Sequence, residues 1–189
     1  MIDIGTGDGR FVSASAKANP DKFFIGIDAN VKPLEKPSIK ATRKPSKGGL
    51  PNALFVQAAV EDLPEELNGL ANQIYVNFPW GSLLRAVMVG DQHVLISIRQ
   101  IAANGCSLKI VTGLDAERDR SEMERLGIHL SDDEYIQNEL VPRYTAVGFA
   151  LTRIESLDEK SWKQIETSWA KKLSGNRNRN GLSIEFAAV

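Results

Sequence analysis

Apolar residues along the chain fall into short runs separated by glycine turns and by stretches with helical spacing. Residues 1–4 are apolar apart from Asp3 and run straight into glycines at 5, 7 and 9. Residues 9–18 suit a helix behind that turn, and Phe23–Asp28 reads as a second strand. Residues 32–46 form a basic helix or loop that Pro37 should kink or delay, and residues 48–52 form a turn. Strands are expected at 53–57, 73–78, 107–112, 149–157 and 182–187, and helices at 91–102, 116–126, 137–147 and 159–172. Seven strands interleaved with helices predict an open, mostly parallel α/β sheet, with the last strand pair antiparallel. No internal repeat, linker or low-complexity stretch breaks the pattern, so residues 1–189 read as a single domain.

Composition adds little to this picture. A chain of 189 residues, 42% hydrophobic and 25% charged, is globular and long enough for a full core. No apolar run reaches the roughly 20 residues of a membrane span. Cys106 is the only cysteine, which excludes an internal disulfide and predicts a reducing, cytoplasmic setting. His93 and His129 are too few and too far apart for a zinc site, so no metal is expected.

Charge changes the picture more. The net charge is −1, yet residues 32–47 carry Lys32, Lys36, Lys40, Arg43, Lys44 and Lys47 against the single acid Glu35. Residues 171–179 carry Lys171, Lys172, Arg177 and Arg179 with no acid, while acids gather at 61–66 and 131–139. Such patches are either solvated surface or one face that grips a polyanion.

The candidate chemistry begins at the first turn. A strand, a glycine turn, a helix and a strand ending in Asp28 have the layout of a βαβ nucleotide-binding unit. Such a turn can also simply join strand to helix. Gly5-x-Gly7-x-Gly9 departs from the dinucleotide spacing and, with the extra acid Asp8, resembles the S-adenosylmethionine (SAM) turn of class I methyltransferases. Asp28 can accept both ribose hydroxyls, and Asp3 suits the cationic methionine end. In an open sheet the ligand lies beyond the carboxyl ends of the strands. Residues at those ends are Asp3, Gly5, Thr6, Gly7 and Gly9, then Asp28, then Ala59 and Glu61 beside an adenine, then Asn77-Phe78-Pro79-Trp80. Glu61 can equally be an acid stabilised at a helix start, and Trp80 can equally be core. Residues 166–179 set Trp169 beside Thr167, Ser168 and four cations, a mixture suited to RNA. Trp162, seven residues earlier, reads as core.

Taken together, residues 3–10, 24–30, 43–52, 57–64, 78–85, 113–122 and 166–170 resemble the aminoglycoside-resistance 16S rRNA (adenine-N1) methyltransferases over nearly the whole chain. The resemblance implies a class I SAM-dependent (Rossmann-like) fold with a seven-stranded sheet flanked by helices. It implies methylation of N1 of adenine 1408 in the assembled 30S subunit, and resistance to aminoglycosides. It also implies that Trp80 and Trp169 hold a flipped adenine, with Ser168 or Thr167 orienting the clamp. Cofactor contacts are then expected from Asp3, Gly5, Thr6, Gly7, Gly9, Asp28, Ala59, Glu61 and Pro79. Contacts to rRNA are expected from Lys40, Arg43, Lys44, Lys171, Arg177 and Arg179. A monomer with no membrane or DNA partner is expected, and Asn77 takes no catalytic role. The family carries a short extension before its first strand that this sequence lacks, which predicts weaker 30S binding; Pro37 and residues 181–189 depart from its pattern. Two other readings are a tRNA (guanine-N7) methyltransferase, whose usual continuation after Trp80 is missing, and a nucleotide-binding protein without turnover.

Overall fold

A computed structural model describes residues 1–114, 118–128, 133–158, 161, 167 and 181–189. In chain order the elements are β1 (Ile2–Ile4), α1 (Arg10–Ala18), β2 (Phe24–Asp28), α2 (Val31–Ala41), β3 (Ala53–Gln57) and β4 (Ala71–Asn77). There follow α3 (Gly81–Val89), α4 (Gln92–Ile101), β5 (Ala102–Thr112), α5 (Arg120–Leu126), α6 (Asp133–Tyr135), a π turn at Ile136–Leu140, α7 (Val141–Ala146), β6 (Phe149–Leu157) and β7 (Gly181–Ala188).

The strands form one sheet in the order β3-β2-β1-β4-β5-β7-β6. The first five are parallel, and β7 lies antiparallel between β5 and β6. The chain therefore starts at the centre of the sheet, builds outward to β3, then returns across β1 to β4. The order reverses between β1 and β4, and there the carboxyl ends of neighbouring strands diverge and leave a crevice. The mostly parallel sheet and its antiparallel last pair are as the hydrophobic pattern predicts.

Among the described residues, two cores hold the layers. Val12 and Ala16 of α1 pack with Phe24 of β2, and Phe55 of β3 joins them. The larger core takes Ile2, Ile4, Ile74 and Val76 from the central strands, Leu84 and Val87 from α3, Leu95 and Ile98 from α4 and Tyr144 from α7. Tyr144 stacks on Phe186 of β7 with ring centroids 4.1 Å apart, and its buried hydroxyl donates to the Val87 carbonyl at 2.9 Å. That bond satisfies a hydroxyl whose burial would otherwise be costly.

Three expectations about elements need correction. Pro37 does not interrupt its segment: α2 runs through it from Val31 to Ala41. A proline inside a helix forfeits a hydrogen bond and costs about 3 kcal/mol or more, but this ring is buried beside Gly9, where a Cβ would lie only 3.0 Å from Pro37 Cβ. Packing against the glycine turn offsets the lost bond. The helix expected from 116 begins only at Arg120 within the described residues. Helix α3 was not expected at all, although Leu83, Leu84, Val87 and Met88 have helical spacing. The expected helix at 159–172, with Trp162, lies outside the described residues apart from Ser161 and Thr167.

Candidate functional site

The glycine turn is locked from behind. The N–H groups of Gly5 and Thr6 both donate to the Ile27 carbonyl, at 2.8 and 2.9 Å. Gly9 has φ +65°, and a Cβ there would lie 2.4 Å from the Phe55 ring. Glycine is thus required twice over at position 9, by backbone conformation and by packing. Asp28 closes the turn from β2. Its Oδ2 accepts the Gly7 N–H at 2.8 Å, and its Oδ1 accepts the Asn30 N–H at 2.9 Å. The carboxylate expected to meet a ribose therefore also fixes the loop that would cradle the ligand.

Asp3 lies deeper. It is 2% exposed, and Asn77 at the end of β4 donates its side-chain amide to Oδ1 at 3.1 Å. Burial pushes the Asp3 carboxyl up to about 7; hydrogen bonding from Thr6 and Asn77 opposes that rise, and the nearby Asp28 charge adds to it. Thr6 sits beside them with its hydroxyl buried against the Asp3 carboxyl. A buried acid in the floor of the crevice suits a ligand that brings a cation of its own.

Across the crevice, the segment after β4 turns sharply. Phe78 has φ +49°, the only described non-glycine residue with positive φ. Such a backbone is uncommon for a bulky residue and costs about 1–3 kcal/mol. It is held by the Phe78 N–H, which donates to the Val111 carbonyl at 2.7 Å, and by burial of the Phe78 and Pro79 side chains. The turn delivers Trp80 to the start of α3 with its side chain 51% exposed.

These pieces surround one cleft of about 480 Å³, within the usual range for small-molecule sites. Its lining brings together Asp3, Gly5, Thr6, Gly7, Asp28, Glu61, Pro79 and Trp80, all named from the sequence, and adds Thr167 from the segment expected to carry the second tryptophan. Ala59 does not line the cleft, but its neighbours Ala58 and Val60 do; Gly9 lies behind it, under Phe55. Lys40, Arg43 and Lys44 are exposed on and after α2, away from the lining. There Gly49 closes the basic segment: a Cβ at that position would fall 1.7 Å from the Arg43 carbonyl oxygen. Ser168, Trp169, Lys171, Arg177 and Arg179 lie outside the described residues.

Sequence reading missed the side-chain role of Asn77 and the left-handed turn at Phe78. Nothing local signals the first, because its partner is 74 positions away. Proline after phenylalanine, with glycine soon after, hinted at the second. Among the described residues no group of three His, Cys, Asp or Glu side chains could hold a metal ion, and no described helix is long and apolar enough to cross a membrane.

A sequence model of the family described as 16S rRNA (adenine(1408)-N(1))-methyltransferase (NpmA) matches residues 1–188. A 16S rRNA (adenine(1408)-N(1))-methyltransferase of Escherichia coli is 36% identical over 187 residues, which cover 97% of this chain and 84% of the relative. Among solved structures, the aminoglycoside resistance methyltransferase NpmB1 is 50% identical with a TM-score of 0.88, covering 100% of this chain and 86% of that one. A mutant of the 16S rRNA (adenine(1408)-N(1))-methyltransferase from Catenulisporales acidiphilia, solved with cosubstrate SAM, is 31% identical with a TM-score of 0.89, covering 100% and 84%.

Proposed function

The chain belongs to the 16S rRNA (adenine(1408)-N(1))-methyltransferase family, and from that premise we propose that it methylates N1 of the decoding-site adenine in the assembled 30S subunit, with SAM as donor, and so confers aminoglycoside resistance. The observation that carries the proposal is the single cleft that sets the buried acid Asp3, the turn-bracing Asp28 and the exposed indole of Trp80 on one surface. Neither alternative reading gains comparable support. A tRNA (guanine-N7) methyltransferase is not the family matched over residues 1–188, and a binding protein without turnover leaves the exposed Trp80 unexplained.

When bound, SAM supplies an activated methyl group on a sulfonium sulfur. The protein's part is to bind, orient and keep water out. Asp3 receives the ammonium of the methionine end in a desolvated corner where an ion pair is worth more than in water. Asp28 accepts from the ribose hydroxyls, and Glu61 with the backbone around Ala59 borders the adenine. Adenine N1 is a neutral lone-pair nucleophile at pH 7, so no general base is needed and no proton leaves before attack. The remaining cost is extrusion of the target base, about a few kcal/mol. Stacking on Trp80 and Trp169 returns roughly 1–3 kcal/mol per indole face. Pro79 stiffens the approach to Trp80, and Thr167 or Ser168 orients the second indole. Arg177 and Arg179 hold phosphates near the flipped nucleotide, and Lys40, Arg43, Lys44 and Lys171 grip rRNA backbone. The enzyme acts as a monomer in the cytoplasm.

The test is transfer of labelled methyl from SAM to intact 30S subunits, naked 16S rRNA and tRNA, with the modified position mapped by primer extension. Methylation of 30S subunits at adenine 1408, with naked 16S rRNA largely unmodified, is expected. Equal labelling of naked rRNA would remove the 30S requirement, and labelling of tRNA alone would overturn the assignment.

A further inference from the structure

We propose that Asn77 is a positioning residue for the cofactor, whose side-chain amide orients the Asp3 carboxylate toward the methionine end. The inference rests on the assignment of that end to Asp3.

Sheet register brings the two residues together. Asp3 of β1 lies level with Tyr75 of the parallel neighbour β4, so Asn77, two positions on, belongs to the same face. Asn77 is 8% exposed, lines the cleft and donates to Asp3 Oδ1 at 3.1 Å. Only the amide nitrogen can face the carboxylate, because the amide oxygen would set lone pairs against lone pairs. The bond engages Oδ1 and so fixes the plane of the carboxylate. A carboxyl group otherwise turns about its own bond. Fixed in advance, it meets an incoming ammonium without reorganising, and a buried site magnifies that advantage. An aspartate at 77 would set two acids in contact, and an apolar residue would remove the Asn77 donor and leave only Thr6 beside the carboxylate. The backbone of the same segment adds rigidity: the next residue, Phe78, is anchored by its N–H to Val111 across the β4–β5 boundary.

The proposal is tested by calorimetry with two ligands: SAM, and 5′-methylthioadenosine, which keeps the nucleoside and lacks the amino-acid end. Asn77→Leu, similar in volume but with no donor, is expected to lower SAM affinity by about tenfold or more, the scale of a hydrogen bond to a charged group. Its affinity for 5′-methylthioadenosine is expected to stay within about twofold of the wild type by the same reasoning. Asn77→Ser and Asn77→Ala form a second pair in case leucine prevents folding. Serine keeps a donor and is expected to retain more SAM affinity than alanine. Equal loss of both ligands would assign Asn77 to packing alone, and unchanged SAM affinity would remove it from the site. Asp3→Asn separates the two levels of the argument. If it loses SAM affinity while the Asn77 variants do not, only the present inference falls. If Asp3→Asn keeps full SAM affinity, the Asp3 assignment falls and takes the inference with it.

Discussion

On the β1–β2 side of the cleft, Asp3 is 2% exposed and Asp28 is tied to two backbone N–H groups. On the β4 side, Trp80 is 51% exposed, on a turn whose backbone is strained at Phe78. In the first wall Asp28 holds its own loop in place, while Asp3 is bonded to Asn77 of β4 at the base of the cleft. The second wall carries at its mouth a half-exposed indole. Under the proposed function, the first wall is the cofactor subsite and the second the substrate subsite.

The sharpest test of that contrast is Trp80→Ala. Methyl transfer to 30S subunits should fall about tenfold to a hundredfold if the stacking is made only on the flipped base, while SAM affinity measured by calorimetry stays close to wild type. Trp169→Ala should behave alike, whereas Trp162→Ala should lower the melting temperature. A Trp80 variant that loses SAM affinity in step with activity would merge the two walls into one.

Asp28→Ala probes the other wall and should weaken SAM binding about tenfold, the scale of a hydrogen bond to a charged group. Because Asp28 also braces Gly7 and Asn30, the melting temperature should drop by about 2–4 °C for each kcal/mol lost. A purely surface carboxylate would leave the melt unmoved.

The next effect is smaller and depends on pH. Asp3 titrates near 7 in the fold instead of near its ordinary 3.8. Between those values the folded chain holds a proton that the unfolded chain has released, so the contribution of Asp3 to stability is greatest in acid and is lost as pH rises through about 7. Binding of an ammonium favours the ionised form, so SAM affinity should run the opposite way. It should weaken below pH 7, by at most about tenfold per pH unit, with up to about one proton released per SAM bound. Calorimetry in buffers of different ionisation enthalpy measures that release, and Asp3→Asn should abolish it.

The smallest effects belong to the basic face. Lys40→Ala, Arg43→Ala and Lys44→Ala should each weaken 30S binding modestly and flatten its dependence on log salt by about one unit, with SAM affinity unchanged. Salt titrations of binding to 30S subunits provide the measurement. An unaltered salt slope in all three would make the patch solvated surface only.

What the sequence made legible follows from distance along the chain. The strands at 24–28, 53–57 and 149–157 were plain because their apolar or alternating stretches are bounded by turn, polar or charged residues, such as Lys22 and Asp28, Asn52 and Gln57, and Gly148 and Asp158. Glycine and acid positions around the first turn were legible because a ligand-binding turn imposes local spacing. Pro37 misled because the space beside Gly9 that receives its ring exists only in three dimensions. Helix α3 begins directly on the turn residues Trp80 and Gly81, whose local pattern favours a loop. The Asn77–Asp3 bond was invisible, since parallel pairing of β1 with β4 has to be known before the two residues become neighbours.

The position of β7 has a consequence for how the molecule assembles during synthesis. β6 leaves the ribosome before β7, yet the sheet gives β6 no direct pairing with β5; β7 lies between them. Until residues 181–188 emerge, β5 presents an unpaired edge and β6 has no strand to join, while the β3-β2-β1-β4 half can already be complete. Nascent chains should therefore pass through a half-sheet stage with exposed pairing groups, the kind of species prone to aggregate. Solubility during expression should hinge on the last strand more than on any other.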